Sequence, residues 1–139
     1  MLYADRVIDE FETYDYESIF HVSLKLLEQL KEYYELHYAS EDSKLFMFSC
    51  VMYFTTLSGY SDGVEQRFVR EIFSFNDILS NIEEYRLKIR DNGWFEIVEK
   101  TLVNSPSYIK DSFARLGCCI YASKGIISYD ERERIKKWL

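Results

Sequence analysis

Apolar residues recur every three or four positions along most of the chain, the spacing that places side chains on one face of an α-helix. The longest such pattern runs from residue 17 to residue 39 and predicts one amphipathic helix. Its predicted apolar stripe comprises Ile19, Val22, Leu26, Leu30, Tyr33 and Leu36, widened by Phe20, Leu27 and Tyr34. A shorter helix is predicted before it, over 4–12, with Val7, Ile8 and Phe11 on one side.

The segment Leu45–Leu57 is almost entirely apolar, so we expect it to form a buried central helix. Further helical patterns occupy 64–73, 78–89, 94–103, 105–124 and 129–139, and no segment is a convincing strand. A single Pro and five Gly also argue against a turn-rich β-protein. The sequence therefore predicts an all-α fold, with residues 1–139 forming one compact bundle of seven or eight helices.

Local signals mark the ends of the last two predicted helices. Ser105 followed by Pro106 predicts an N-cap and a first helical position, and Gly125 is expected to end that helix. Ser128 and Glu131 have the S-x-x-E spacing of a capping box, which predicts a final helix from Tyr129 to Leu139.

The composition narrows the class of partner. The formal net charge is −7 and the pI is about 4.9, so the average field repels a phosphate backbone and we expect no nucleic-acid partner. An acidic surface serves solubility or attracts a basic protein partner.

The cysteines and the N-terminus predict a cytoplasmic protein. Cys50, Cys118 and Cys119 are odd in number and lack a CxxC spacing, so we interpret them as reduced, buried residues. The N-terminus is acidic from Asp5 onward and lacks the basic start and apolar run of a signal peptide. Leu45–Leu57 is too short to span a bilayer as a helix, so we expect no membrane association.

Two short segments repeat the same pattern between two helices. Ser61-Asp62-Gly63 and Ser123-Lys124-Gly125 each follow an apolar helix and precede a short amphipathic helix rich in Glu and Arg. The repetition predicts a duplicated helix–corner–helix unit.

The second unit resembles the TerB-like family, named after tellurite-resistance proteins, whose signature is Ala-x-Asp-Gly followed by x-Ile-(Ser/Asp)-x-x-Glu. Ala122, Gly125, Ile127, Ser128, Glu131 and Ile135 fall at the signature positions. The resemblance covers about residues 45–139 and leaves 1–44 as an N-terminal helical extension. It implies an all-helical domain with pseudo-twofold halves, a link to stress and phage-related systems, and metal binding.

Two departures affect the metal site that the resemblance implies. Lys124 stands where the family's second Asp would be, and Val69 stands where the first unit's later Glu would be. Asp62 and Glu131 remain as weak candidate ligands, but a divalent ion requires several oxygens without a nearby ammonium. We therefore expect no bound metal and no cofactor. Asp62 also has a structural interpretation as the cap of the following helix.

The sequence shows no pattern of a catalytic site. His21 and His37 are the only imidazoles, and neither belongs to an HExxH spacing. A P-loop, a nucleotide-binding Gly motif and a Ser-His-Asp arrangement are also absent from the sequence, so we expect no enzymatic activity.

An interaction surface is predicted on the N-terminal helices, where tyrosines alternate with carboxylates. The predicted partner-binding residues are Tyr14, Tyr16, Tyr34, Glu35, Tyr38 and Glu41. Tyrosine supplies contact area at low entropic cost, and carboxylates attract a basic partner. The alternative is that these rings lie on a helix face half buried against its own core.

These observations favour a small acidic helical domain that acts by protein–protein interaction, in the stress or phage and tellurite-related setting that the resemblance implies. The alternative is an acidic immunity or inhibitor protein that binds a basic toxin or enzyme. The third hypothesis is a degenerate metal-binding domain. The oligomeric state is left open by the sequence.

Overall fold

The computed structural model describes residues 3–37, 43–58, 63–75, 84, 85, 87 and 94–139. Its helices with defined ends are α1 (Tyr3–Glu12), α2 (Tyr16–His37), α3 (Ser43–Ser58), α4 (Gly63–Phe75), α5 (Trp94–Val103), α6 (Ser107–Ala122) and α7 (Tyr129–Lys136). The described residues include no strand, which confirms the predicted all-α bundle. Of the helix predicted over 78–89, only residues 84, 85 and 87 lie within the described part, and all three are helical.

Helix α6 lies at the centre of the bundle, where it contacts each of the other six helices. Its predicted apolar stripe is buried, and from Leu116 to Ala122 every residue is buried, because neighbouring helices pack around this half of the helix. The buried residues of this helix include Ile109, Phe113, Ala114, Leu116, Gly117, Cys118, Cys119, Ile120 and Tyr121. Helix α3 is buried along most of its length as predicted, but the centre of the fold is α6.

A glycine allows α3 and α6 to approach closely. Gly117 faces the ring of Phe54, and a Cβ at position 117 would lie 2.5 Å from that ring. The fully buried Tyr121 donates a hydrogen bond from its hydroxyl to the Phe54 carbonyl at 2.6 Å. Phe54 is therefore fixed to α6 through both its ring and its backbone.

The apolar stripe of α2 differs from the predicted one near its C-terminal end. Tyr34 is only 2% exposed and stacks on Phe46 of α3, whereas Leu36 is 81% exposed. Around an α-helix, Leu36 lies roughly 100° from Ile19 and Tyr34 roughly 60° from it. The stripe therefore continues through Tyr34, and the expectation that Leu36 packs in the core is wrong.

Helix α2 begins at a capping aspartate. The carboxylate of Asp15 accepts a hydrogen bond from the Ser18 amide at 2.8 Å, which satisfies one of the free amides of the first turn. That hydrogen bond lowers the pKa of Asp15 below its ordinary value. The predicted break between α1 and α2 is therefore confirmed, since Thr13 to Asp15 separate the two helices.

The predicted cap at Ser105 is wrong. Its hydroxyl donates to the Thr101 carbonyl at 2.5 Å and thereby closes α5 rather than starting α6. The N-cap of α6 is Pro106, whose carbonyl accepts hydrogen bonds from the amides of Ile109 and Lys110.

The packing of the two predicted repeat units is reciprocal. Helices α3 and α6, the first helix of each unit, contact each other; α3 also contacts α7, and α6 also contacts α4. If a twofold rotation relates the two units, each first helix must contact the second helix of the other unit, as it does here. The first corner, Gly59 to Asp62, lies outside the described residues. The pseudo-twofold relation stays a prediction.

Candidate functional site

The second corner, between α6 and α7, is built around a buried ion pair. Glu131 is 4% exposed, and its Oε2 lies 2.5 Å from the Lys124 ammonium. Its Oε1 accepts a hydrogen bond from the Ser128 amide at 2.9 Å, and the Ser128 hydroxyl accepts one from the Glu131 amide. The predicted capping box is confirmed, and both carboxylate oxygens of Glu131 have partners within the corner.

These contacts do not fit the metal site that the TerB-like resemblance implies. The ammonium of Lys124 occupies one side of the Glu131 carboxylate and supplies the positive charge that a cation would supply. Within the part of the chain that the structure describes, no three acidic, His or Cys residues cluster as metal ligands do. The other weak candidate ligand, Asp62, lies outside the described residues.

A set of ionic contacts that the sequence did not predict fastens α1 to α7 and to this corner. Arg132 pairs with the carboxylates of Asp9 and Glu12, and Lys136 pairs with Asp5 at 2.8 Å. Glu12 also accepts a hydrogen bond from the Ile127 amide at 2.9 Å. The only signal in the sequence is that the three acids share one face of α1 while the two cations are four residues apart on α7.

The N-terminal tyrosines predicted to bind a partner are partly committed to the fold. The Tyr14 hydroxyl donates to Glu10 at 2.6 Å, and this hydrogen bond raises the pKa of Tyr14. The Tyr16 hydroxyl donates to Glu71 of α4 at 3.0 Å, and burial together with this bond raises the pKa of Tyr16 to about 12. The ring of Tyr16 also packs edge-on against Phe68, so Tyr16 fastens α2 to α4.

The predicted residue Tyr34 does not contribute to an outer surface. Its ring stacks on Phe46 with centroids 4.2 Å apart, and the side chain is buried in the core. The assignment of Tyr34 as a partner contact is therefore corrected: in this fold its ring is inaccessible to a partner. The predicted residues Tyr38 and Glu41 lie outside the described residues.

The predicted set does not form one patch. Tyr16 begins α2, whereas Glu35 lies near its end, so the two residues are separated by about 28 Å along the helix axis. Of the predicted residues that the structure describes, Glu35 alone is classed as exposed.

Glu35 belongs to a solvent-facing group on the C-terminal half of α2. We call this group the α2 acidic face: Glu28, Glu32, Glu35 and Leu36. All four residues are exposed and fall within roughly 100° around the helix. None of the three carboxylates forms an ion pair or hydrogen bond with another described residue. The exposure of Leu36 follows from the sequence if the buried stripe of α2 is continued through Tyr34 instead.

The cysteines are placed as the sequence predicted. Cys50, Cys118 and Cys119 are buried and unbridged. Burial raises the pKa of Cys118 to about 12 and the pKa of Cys50 and Cys119 well above the ordinary thiol value. The thiols are therefore protonated at neutral pH, which makes them poor nucleophiles and poor metal ligands.

An open cavity of about 480 Å³ lies beside the first turn of α6, lined by Tyr3, Tyr108 and Trp138 among others. The carboxylate of Asp111 in this cavity accepts hydrogen bonds from the Tyr3 hydroxyl at 2.9 Å and from the Arg115 guanidinium at 2.6 Å. Both oxygens of Asp111 are thus engaged: Tyr3 joins α1 to α6, and Arg115, one turn further along α6, also donates to the Tyr3 hydroxyl at 3.0 Å.

No described helix combines the length and the apolar character needed to cross a membrane. Comparison with known proteins found no matching family model, no similar curated protein and no similar solved structure. The function is therefore inferred from the residues of this chain.

Proposed function

We propose that the protein is a non-enzymatic cytoplasmic domain that binds a basic protein partner through the α2 acidic face. The observation that supports this most directly is the arrangement on α2: three exposed carboxylates without a partner among the described residues lie on one face, and a leucine that is 81% exposed adjoins them at the C-terminal edge of that face. The proposal keeps Glu35 from the predicted set and replaces Tyr34 by Leu36 as the apolar contact.

The three carboxylates attract a positively charged partner and do not stabilise the fold. Glu28, Glu32 and Glu35 lie three or four residues apart on one face, a spacing at which like charges repel. Lys31 lies at one edge of the face and Lys25 lies one turn before Glu28 on the same side of the helix, so these three carboxylates and two ammonium groups leave a net negative charge. A cluster of this kind favours approach of a positively charged partner and raises the association rate.

Leu36 provides apolar contact area at the edge of the acidic group. An exposed leucine is unremarkable by itself, since folded proteins expose much apolar surface. Here it adjoins the carboxylates on one helix face, so a partner that pairs with the carboxylates can also contact this apolar side chain.

The α2 acidic face also suits the alternative function of an acidic inhibitor. A basic toxin or a basic enzyme would be captured by the same carboxylates, and inhibition would follow if the contact covers its active site. Inhibition of the partner's activity separates this alternative from simple binding. A neighbouring toxin gene favours the inhibitor, whereas neighbouring stress, phage or tellurite genes favour the setting that the TerB-like resemblance implies.

The proposal is tested by site-specific photo-crosslinking in the native host. A photoreactive phenylalanine analogue replaces Leu36 in one variant and Val103, which is 57% exposed, in a control. We expect position 36 to crosslink a basic protein that position 103 does not. Purified partner must then bind the wild type and lose affinity for the double variant Glu28→Gln/Glu35→Gln, while Glu17→Gln/Glu96→Gln, with the same change of charge, binds normally. Equal binding by both double variants rejects the α2 acidic face.

A further inference from the structure

The loop between α6 and α7 holds two large apolar side chains in solvent. Ile126 is 80% exposed and Tyr129, the first residue of α7, is 74% exposed. We call this pair the corner knob. Ile127, between them in the chain, is 2% exposed and packs in the core, whereas its neighbours Ile126 and Ser128 are exposed.

Hydrogen bonds fix the backbone on both sides of the corner knob. The Gly125 amide donates to the Ala122 carbonyl at 2.9 Å, and Gly125 has a φ of +116°, a conformation that residues with a side chain rarely adopt. The Ile127 amide donates to Glu12 at 2.9 Å, and the Ser128 amide donates to Glu131 at 2.9 Å.

This bonding holds Ile126 out of the core. Ile127 fills the inward position, and its carbonyl also accepts a hydrogen bond from Arg132. A contact residue presented on an ordered loop loses little conformational entropy when it binds. Large side chains that enter a pocket on a partner provide a major share of affinity at protein interfaces.

The charges around the corner knob indicate the kind of partner. The nearby cations are engaged within the molecule: Lys124 with Glu131, Arg132 with Asp9 and Glu12, and Lys136 with Asp5. Two exposed acids lie on α7 after Tyr129: Asp130 is the next residue, and Glu133 follows one turn later, where its carboxylate lies 3.7 Å from the Lys136 ammonium that it shares with Asp5. The exposed charge next to the corner knob is therefore negative.

We propose that the corner knob is a second protein-binding surface, separate from the α2 acidic face. Ile126 and Tyr129 enter an apolar cleft on a different protein, and a basic residue at the rim of that cleft pairs with Asp130. The surface is complete within one copy of the chain and requires no metal.

The test places the photoreactive phenylalanine analogue at Ile126 or at Tyr129 in the full chain, expressed in the native host. Control variants carry it at Val103 or Tyr108, which are 57% and 61% exposed. We expect one protein to crosslink at both knob positions and at neither control. The purified form of that protein is then titrated with the wild type and with single substitutions.

Ile126→Ala and Tyr129→Ala are each expected to weaken binding at least tenfold, with unchanged melting temperatures because both side chains are exposed. Asp130→Asn is expected to slow association and to reduce its dependence on salt, whereas Val103→Ala leaves affinity unchanged. Glu28→Gln/Glu35→Gln also leaves this binding unchanged, so failure of one surface does not decide the other.

Three results overturn the proposal. The first is crosslinking at the knob positions that does not exceed the controls. The second is crosslinking only to another copy of the chain, which makes the corner knob a self-association contact. The third is a captured protein whose affinity is the same for wild type, Ile126→Ala and Tyr129→Ala.

Discussion

The ammonium of Lys124 and the carboxylate of Glu131 lie 2.5 Å apart inside the corner that joins α6 to α7. The pair holds together the two sides of the loop, since Lys124 precedes Gly125 and Glu131 lies in the first turn of α7. Lys124 also lies 5.2 Å from the centre of the Tyr121 ring, which connects the corner to the buried surface of α6.

Lys124→Met should destabilise the protein by about 3 kcal/mol, because it leaves a buried carboxylate without its counter-charge. Glu131→Gln should also destabilise it, and the double variant should be more stable than the sum of the two losses predicts. Urea denaturation of the four proteins measures the coupling. Additive losses would show that the pair is not an interacting unit. Lys100→Met, at an exposed position of α5, is the control.

Divalent cations should leave the melting temperature nearly unchanged, because Lys124 and the Ser128 amide already engage the Glu131 oxygens. A millimolar concentration of an ion acting on a micromolar site would stabilise the native state by roughly 4 kcal/mol. Thermal melts with Ca²⁺, Mg²⁺ and Zn²⁺ make the comparison. A rise of several degrees that Asp62→Ala or Glu131→Gln abolishes would contradict the absence of a metal site.

Gly117→Ala should destabilise the fold by about 1–3 kcal/mol, since the added methyl group would overlap the Phe54 ring. Combining it with Phe54→Leu should cost less than the two single changes together, because leucine vacates part of the ring's volume. Chemical denaturation measures all four proteins. An unchanged stability of Gly117→Ala would mean that α3 and α6 are not in close contact there.

Acid should weaken the contact between α1 and α7. The hydrogen bond from Lys136 lowers the pKa of Asp5 below its model-compound value of 3.8. A carboxyl whose pKa is lowered in the folded state contributes stability above 3.8 that is lost as the pH falls through the folded value. The stability gap between wild type and Asp5→Asn should therefore be larger at pH 7 than at about pH 3. A gap that does not change with pH would contradict this pairing.

Much of the fold could be predicted because it follows from local periodicity. The helical class, α1 with its buried Val7, Ile8 and Phe11, and the capping box at Ser128 all depend on residues close together in the chain. Near the end of α2 the apolar stripe can continue through Tyr34 or through Leu36. Packing against Phe46 of α3 buries Tyr34, so the prediction of Tyr34 as a partner contact failed. Ser105 fits a cap in the sequence, but its hydroxyl instead completes the preceding helix.

The candidate surfaces were harder to predict because exposure depends on distant residues. Ile126 and Ile127 are identical in type and adjacent in sequence, and the contacts that fix the Ile127 backbone come from Glu12 of α1 and Arg132 of α7. The sequence predicted that Tyr14 and Tyr16 contact a partner. In the structure their hydroxyl groups instead donate hydrogen bonds to Glu10 and Glu71.

The central claim is that the α2 acidic face binds a basic partner, and the most direct measurement is the association rate constant with the partner crosslinked at position 36. It is measured for wild type, Glu28→Gln/Glu35→Gln and the control Glu17→Gln/Glu96→Gln at about 50 and 200 mM salt. We expect the rate constant of the wild type and the control to fall steeply with salt, while the α2 variant associates about tenfold more slowly at low salt and responds weakly to salt. The same rate constant and the same salt dependence for all three proteins would contradict the claim.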